Sequence, residues 1–120
     1  MTQNGAHASI LTVAGVEYRI RREFGMILQI EEAWGEIGAF ASAAETARLK
    51  AVDLAKLYGI LLSGQEKPPT AKVIEDHIAA VGTRPALHPA IVICGSLFLG
   101  EERYMALLAA RQDGGNGVSP

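Results

Sequence analysis

Residues 16–35 read VEYRIRREFGMILQIEEAWG, and within this stretch the spacing of the apolar residues changes from two to nearly four. Residues 16–21 alternate apolar and charged side chains, which is the pattern of a β-strand with one face in water. From Phe24 onward the apolar residues recur at helical spacing, and Gly35 suits the left-handed position that ends a helix. The stretch therefore predicts a strand that leads directly into a helix.

The helix that begins at Phe24 is expected to be central in the fold and largely covered. Met26 and Ala33 widen its apolar face until only Gln29 and Glu32 lie clearly outside it. The side chains predicted to form the core on this face are Phe24, Ile27, Leu28, Ile30 and Trp34. Burial of each would stabilise the fold by roughly 1.5 to 3 kcal/mol.

The chain has 120 residues, of which 49% are hydrophobic and 20% charged, so it suits one folded domain rather than two. Its formal net charge of -2 gives no field that would draw it to nucleic acid or to an anionic membrane. We expect a disordered N-terminus over residues 1–8, one globular domain over 9–112 and a flexible tail over 113–120.

Three features predict a protein of the cytoplasm. The single cysteine, Cys94, excludes an internal disulfide and is typical of a reducing compartment. The first eight residues have neither the basic start nor the apolar core of a signal peptide. The longest apolar run, residues 90–99, is about half of the ~20 residues that a membrane-spanning helix needs.

The segment before residue 16 predicts a β-hairpin. Residues 9–13 are rich in β-branched and apolar side chains, and only Ala14 and Gly15 separate them from the second strand. Because a lone hairpin is marginally stable in water, we expect it to pack against helices.

Helical patterns after Gly35 make the predicted fold α+β but mostly helical, with the hairpin followed by four or five packed helices. The apolar spacing predicts helices over residues 36–45, 51–63 and 71–81, with Thr70 as the N-cap of the third. The residues expected to face inward are Leu54, Leu57, Tyr58, Leu61 and Leu62 in the second of these helices, and Ile74, Ile78 and Val81 in the third.

Residues 90–99 form an apolar run whose β-branched content would also permit a buried strand. A helix is favoured because Pro89 fits a first helical turn and because the apolar pattern continues beyond the run at helical spacing. We expect residues 84–89 to be its connector, an interruption near Gly100 and an end around Arg111.

The last helix carries more apolar side chains than a domain of this size is expected to cover. A patch that binds another chain and a fully buried core are therefore both open interpretations. The residues predicted to bind a partner protein are Phe98, Tyr104, Met105 and Leu108.

The sequence contains no motif of a catalytic, cofactor or metal site. His7, His77 and His88 lack metal-ligand spacing, and Cys94 has no cationic neighbour that would activate its thiol. The glycine-rich loops that bind nucleotides are also missing. We predict no catalytic, cofactor-binding or metal-binding residues, and a protein that is not an enzyme.

Glu31 is the most interesting carboxylate because it falls inside the apolar arc of its helix. A buried carboxylate needs a partner, and Arg19, Arg21 and Arg22 precede it closely in sequence. The preferred interpretation is a structural ion pair or hydrogen bond between the strand and the helix. The alternative is a general base in a hydrolase or other enzyme.

A further alternative is a small DNA-binding regulator. The helices between residues 51 and 81 would bind the DNA, and Arg19, Arg21 and Arg22 would contact its phosphates. The negative net charge and the long connector between those helices argue against it, since a helix-turn-helix uses a turn of about 3 to 4 residues.

Four pieces of the chain resemble the tail assembly chaperone-like proteins of bacteriophages and gene transfer agents. They are the hairpin that ends in VEYRI, the helix FGMILQIEEAWG from Phe24, the segment VDLAKLYGILLSG from Val52, and the apolar, alanine-rich last helix. The resemblance covers roughly residues 10–110.

The resemblance implies a non-enzymatic protein of virion morphogenesis, made in the bacterial cytoplasm from a phage, prophage or gene transfer agent locus. Members of this group are thought to hold the long helical tape-measure protein soluble while tail-tube subunits polymerise around it. The expected partner is therefore a tape-measure or tail-tube protein. Self-association is a further expectation, and no binding to nucleic acid or to a membrane is expected.

Overall fold

A two-stranded antiparallel hairpin begins the fold, and helices form the rest of it. The strands are β1 (Ile10–Val13) and β2 (Val16–Arg19), and the helices are α1 (Phe24–Trp34), α2 (Ile37–Thr46), α3 (Ala51–Leu61), α4 (Ala71–Val81) and α5 (Thr83–Leu99). The chain is helical again over residues 102–107. The predicted α+β, mostly helical fold is confirmed.

The computed structural model describes residues 9–46, 49–100, 102–107 and 109–110, with the side chains of 44–46 excepted. The predicted disordered N-terminus and flexible tail lie outside these residues. Buried apolar side chains from the hairpin and from α1 to α5 form one core cluster.

The hairpin turns at Ala14 and Gly15, whose φ angles are 52° and 83°. Two successive left-handed residues are typical of a type I′ turn, whose twist matches that of the paired strands. The second strand ends at Arg19 rather than at the predicted position 21. The buried side of the hairpin is supplied mainly by Leu11 and Val13 of β1.

The central helix is α5, which packs against α2, α3, α4 and β1. The prediction that α1 is central is wrong, because α1 packs mainly on α2 and α3 and buries only Met26 and Ile30. Phe24 and Leu28 were expected in the core, but they are 72% and 50% exposed. The apolar arc of α1 is broader than the surface that its two neighbours offer, so one edge of it stays in solvent. Of the remaining predicted core residues of α1, Ile30 is buried, whereas Ile27 and Trp34 are partly buried.

Helix α3 has the inward face that its spacing predicts. Its buried residues include Leu54, Leu57, Tyr58 and Leu61, and Leu62 follows them into the core. The Tyr58 hydroxyl donates a 2.7 Å hydrogen bond to the carbonyl of Ala86, which ties α3 to α5. Burial raises the pKa of Tyr58 to about 12.

The predicted ends of α4 are confirmed. The Oγ1 atom of Thr70 accepts a hydrogen bond from the amide of Val73 at 3.2 Å, and Gly82 follows the helix with φ 99°. Ile74 and Ile78 are buried as expected, but Val81 is exposed because α4 ends there and the chain turns into α5. The connector predicted before the last helix is itself helical, since α5 begins at Thr83.

An early start for α5 is compatible with its two prolines. Pro85 lies in the first helical turn, where backbone amides have no partner inside the helix. Pro89 lies in the interior and removes one hydrogen bond there. The predicted interruption near Gly100 is confirmed, with φ 92° at that residue. The predicted end at Arg111 falls outside the described residues.

Within the described ranges, no single helix is long and apolar enough to span a bilayer. Among the helices of those ranges, only α4 and α5 taken together pass on length and composition, and they are bent by 117° at their junction.

Candidate protein-binding site

A cavity of about 120 Å³ lies where α2, α5 and residues 102–107 meet. We call the walls that α2 and α5 contribute to it the trough. Those walls are formed by Gly38, Ala41, Ser42, Ile91, Gly95, Phe98 and Leu99. The trough is therefore mostly apolar, and small residues of α2 form one side of it.

Two glycines of the trough each receive an aromatic ring. A Cβ atom on Gly38 would lie 2.6 Å from the Phe98 ring, and one on Gly95 would lie 2.5 Å from Cε1 of Tyr104. Both distances are far below van der Waals contact, so neither position accepts a side chain unless the ring moves. The missing side chains thus create two notches for aromatic rings.

The four predicted partner-binding residues have different environments. Phe98 is 51% exposed, as a surface residue should be, while Met105 is partly buried. Tyr104 is only 7% exposed, so its assignment to an accessible surface is wrong. The reversal of the chain after Gly100 folds its ring onto α5. Leu108 lies outside the described residues.

Leu107 adjoins the trough and was not among the predicted partner-binding residues. It lines the cavity and is 41% exposed, which places a second exposed apolar side chain beside the trough. The apolar spacing of the last segment contains Leu107, but only the fold shows that this side chain reaches the surface.

The exposed side chains of Phe24 and Leu28 form a second apolar surface, on the outer side of α1. They lie one helical turn apart, so they share one face of the helix. The sequence pattern gave no signal that these residues are exposed, because they continue the same apolar arc that holds Met26 and Ile30.

A third candidate is a groove of about 580 Å³ between α3 and α4. Small residues, Ala51, Ala55 and Gly59, recur at every fourth position along its α3 side. Lys56 and Glu75 also line the groove, on α3 and α4 respectively. This groove combines small residues with one charge of each sign.

Two of the arginines before α1 take part in structural hydrogen bonds, Arg22 through its side chain and Arg19 through its backbone carbonyl. The guanidinium of Arg22 donates two 2.8 Å hydrogen bonds to Ser96, one to Oγ and one to the carbonyl oxygen. A cation at this end of α5 is also favourable for the helix dipole. The carbonyl of Arg19 accepts a 2.6 Å hydrogen bond from Nε2 of Gln65.

A cleft of about 590 Å³ is lined by Arg19, Arg21 and Arg22. It is also lined by two carboxylates, Glu23 and Glu66, which offset much of the positive charge. An anion in this cleft would therefore meet a field of mixed sign.

Glu31 has a hydrogen-bonded structural role. Its Oε2 accepts from the amide of Ile37 at 3.0 Å, which is the first residue of α2. Glu31 thus has a structural hydrogen bond, but the bond joins α1 to α2 rather than to the strand, and the expected arginine partner is wrong. The short link between α1 and α2 brings an unpaired helix-start amide closer to Glu31 than the arginines come, and such amides need an acceptor.

The remaining candidate groups are Cys94 and the histidines. Cys94 is fully buried, and burial raises the pKa of its thiol to about 12, so the thiol is protonated at neutral pH. The Nδ1 atom of His77 accepts a hydrogen bond from the amide of Ala14. Over the described part of the chain, no three His, Cys, Asp or Glu side chains are grouped so as to hold a metal ion.

The trough is the candidate site that unites a cavity, exposed apolar side chains and a predicted partner-binding residue. No family model, no curated protein and no solved structure matches this chain.

Proposed function

We propose that this protein is a non-enzymatic, tail assembly chaperone-like protein that binds a tape-measure or tail-tube protein during the tail morphogenesis of a phage or gene transfer agent. It acts in the bacterial cytoplasm under this proposal. The order of the hairpin and helices, together with the four sequence pieces that resemble that group, supports it.

The observation that carries the proposal is the trough with Phe98 and Leu107 beside it. These two apolar side chains are 51% and 41% exposed, and both line the same cavity between helices. Amphipathic helices bind to other proteins by placing an apolar face in such a depression. A long helical partner offers that kind of face many times along its length.

The test is co-expression of the chain with the products of its neighbouring genes, followed by size-exclusion chromatography. The proposal expects a stable complex with the tape-measure or tail-tube protein. Elution of the chain alone, as a monomer or dimer, overturns it.

Two matched variants locate the binding surface. Phe98→Ser should reduce the yield of the complex, because it removes an exposed apolar side chain beside the trough. Phe24→Ser is the control, since it removes an equally large exposed side chain from α1. Equal losses from both variants would show that the trough is not the specific surface.

A second candidate function is DNA binding, in which Arg19 and Arg21 would contact phosphates against the opposing charges of Glu23 and Glu66 in the same cleft. Phosphate contacts strengthen as salt falls, so a gel shift at low salt should appear and should vanish when Arg19 and Arg21 are neutralised. No shift at low salt ends this candidate. Arg22 is left unchanged in this test because its bonds to Ser96 support the fold.

A further inference from the structure

The helical residues 102–107 include one buried side chain. Tyr104 is buried, whereas Glu102, Arg103, Ala106 and Leu107 are exposed. Met105 is partly buried and adds less contact. Removing the Tyr104 ring would therefore remove the one buried side chain of this segment.

The notch at Gly95 fits the Tyr104 ring closely. Glycine is unfavourable in the interior of a helix compared with alanine, yet Gly95 lies in the middle of the second half of α5. Its value is the space that it leaves, since a Cβ there would lie 2.5 Å from the ring. The site is thus shaped to receive a flat aromatic side chain.

The segment is joined to α5 by a hinge and packs incompletely. Gly100 has φ 92°, and its amide donates to the carbonyl of Ser96 at 2.8 Å, which ends α5. A cavity of about 120 Å³ remains between the trough and residues 102–107. Segments with few buried contacts open locally at a lower free energy than the core.

We infer that residues 102–107 form a lid that opens about Gly100, and that the trough beneath it binds a helix of a partner protein which places an aromatic ring against Gly95. The lid shows what the trough accepts: a helix with an aromatic residue followed three positions later by leucine, as Tyr104 and Leu107 are. The inference rests on the proposed function only for the identity of the partner.

The first test is amide hydrogen exchange on the full chain across a denaturant series. The lid predicts that amides of residues 102–107 exchange at least tenfold faster than those of buried α5, through an opening that depends little on denaturant. If the exchange rates of both segments have the same denaturant dependence, the two segments open only together, and the inference that residues 102–107 form a lid is overturned.

The second test uses a fluorescent peptide with the sequence GEERYMALLAA, which is residues 100–110 of this chain. It is titrated into the full-length wild type and the full-length Tyr104→Ala variant, up to about 1 mM because a tethered lid competes at millimolar effective concentration. Binding should be at least tenfold tighter to Tyr104→Ala, whose own ring no longer occupies the notch. Equal binding to both, or binding to neither, overturns the inference.

A matched pair of double variants identifies the notch as the binding site. The double variant Tyr104→Ala with Gly95→Ala should bind the peptide at least tenfold more weakly than Tyr104→Ala does, because the new methyl group fills the notch. Tyr104→Ala with Gly59→Ala should bind as Tyr104→Ala does, since a Cβ at Gly59 has no atom within 4 Å. If Gly95→Ala leaves the affinity for the peptide unchanged, the notch is not the binding site.

The two proposals fail in different ways. If the peptide binds as expected but no tail protein co-purifies, the lid stands and the proposed function falls. If a tail protein co-purifies equally well with wild type, Tyr104→Ala and the Gly95→Ala double variant, the proposed function stands and the trough is not its site.

Discussion

The backbone amide of Ala14 donates a hydrogen bond to Nδ1 of His77 over 3.0 Å, although 63 positions separate the two residues. This bond fastens the tip of the hairpin to α4. It also compensates for a strained residue, since Ala14 has φ 52° and a left-handed conformation costs a side-chain-bearing residue roughly 1 to 2 kcal/mol.

Replacing His77 by phenylalanine should destabilise the protein by about 0.5 to 1.5 kcal/mol, because the ring is kept while the acceptor is lost. Ala14→Gly should instead stabilise it by about 0.5 to 1 kcal/mol, because glycine adopts this conformation without strain. Urea denaturation measures both. The two effects should be additive, since the backbone amide of the glycine variant would still donate to His77; strong coupling would mean that the turn itself rearranges.

Substitution of helical glycines by alanine should destabilise the protein where an aromatic ring packs against the glycine, and should stabilise it where the space is open. Gly95→Ala should cost about 1 to 3 kcal/mol, because the buried Tyr104 ring must leave its notch. Gly38→Ala should cost less, since the half-exposed Phe98 ring has room to turn into solvent. Thermal unfolding of the two variants checks this order, and an equal or reversed cost would contradict it.

Gly25 and Gly59 are the matched controls because an added Cβ meets no atom within 4 Å at either position. Gly59 lies in the interior of α3, where alanine is favoured over glycine by about 0.5 to 1 kcal/mol, and Gly25 lies in the first turn of α1, where the gain is smaller. Gly25→Ala and Gly59→Ala should therefore raise the unfolding temperature. A loss of stability in these variants would show that helix propensity does not dominate there.

Alkaline pH should destabilise the fold through two buried acids. Burial raises the pKa of Cys94 from 9.0 to about 12, and that of Tyr58 from 10.0 to about 12. Both groups are neutral when protonated, so they ionise in the unfolded chain at a lower pH than in the folded chain. This ionisation lowers the free energy of the unfolded chain and so destabilises the fold as pH rises. Their contribution is complete below about pH 9 and is lost progressively towards pH 12.

Urea midpoints measured between pH 8 and pH 11 test this dependence. In Cys94→Ala the decline should begin nearer pH 10 than pH 9, because only Tyr58 then contributes. The packing contacts that are lost with the sulfur atom lower stability by the same amount at every pH, so the test is the pH at which the decline begins. Parallel curves for wild type and variant would contradict the assignment to Cys94.

The two bonds from Arg22 to Ser96 predict that arginine cannot be replaced by lysine at this position. Arg22→Ala should cost about 1 kcal/mol, and Arg22→Lys should recover little of it, since an ammonium lacks the forked geometry that meets both acceptors. Arg21→Lys is the control on the neighbouring residue. Full recovery by lysine would show that only the charge matters.

Local signals allowed much of the fold to be predicted. The spacing of α3 indicated its buried residues, and Thr70 and Gly82 indicated the ends of α4, because capping chemistry and strong periodicity act within a few residues. The start of α5 was missed because two prolines within five residues are typical of a connector, although each is tolerated in this helix for a different reason.

Burial on α1 could not be predicted in the same way. A periodic pattern defines an apolar arc, but only the neighbouring helices decide that Ile30 is covered and Phe24 is not. For the same reason, only part of the candidate site could be predicted from the sequence. Phe98 is at the surface, whereas the burial of Tyr104 depends on a turn at Gly100 and on the space at Gly95, a pairwise relationship that periodicity does not contain.

The contact between Arg22 and Ser96 also sets an order of events during synthesis. The two residues are 74 positions apart, so a growing chain completes its hairpin and α1 long before Ser96 exists. Contacts of such long range add slowly to a folding chain. The contact that fastens the junction of strand and helix can therefore form only after most of α5 has been made.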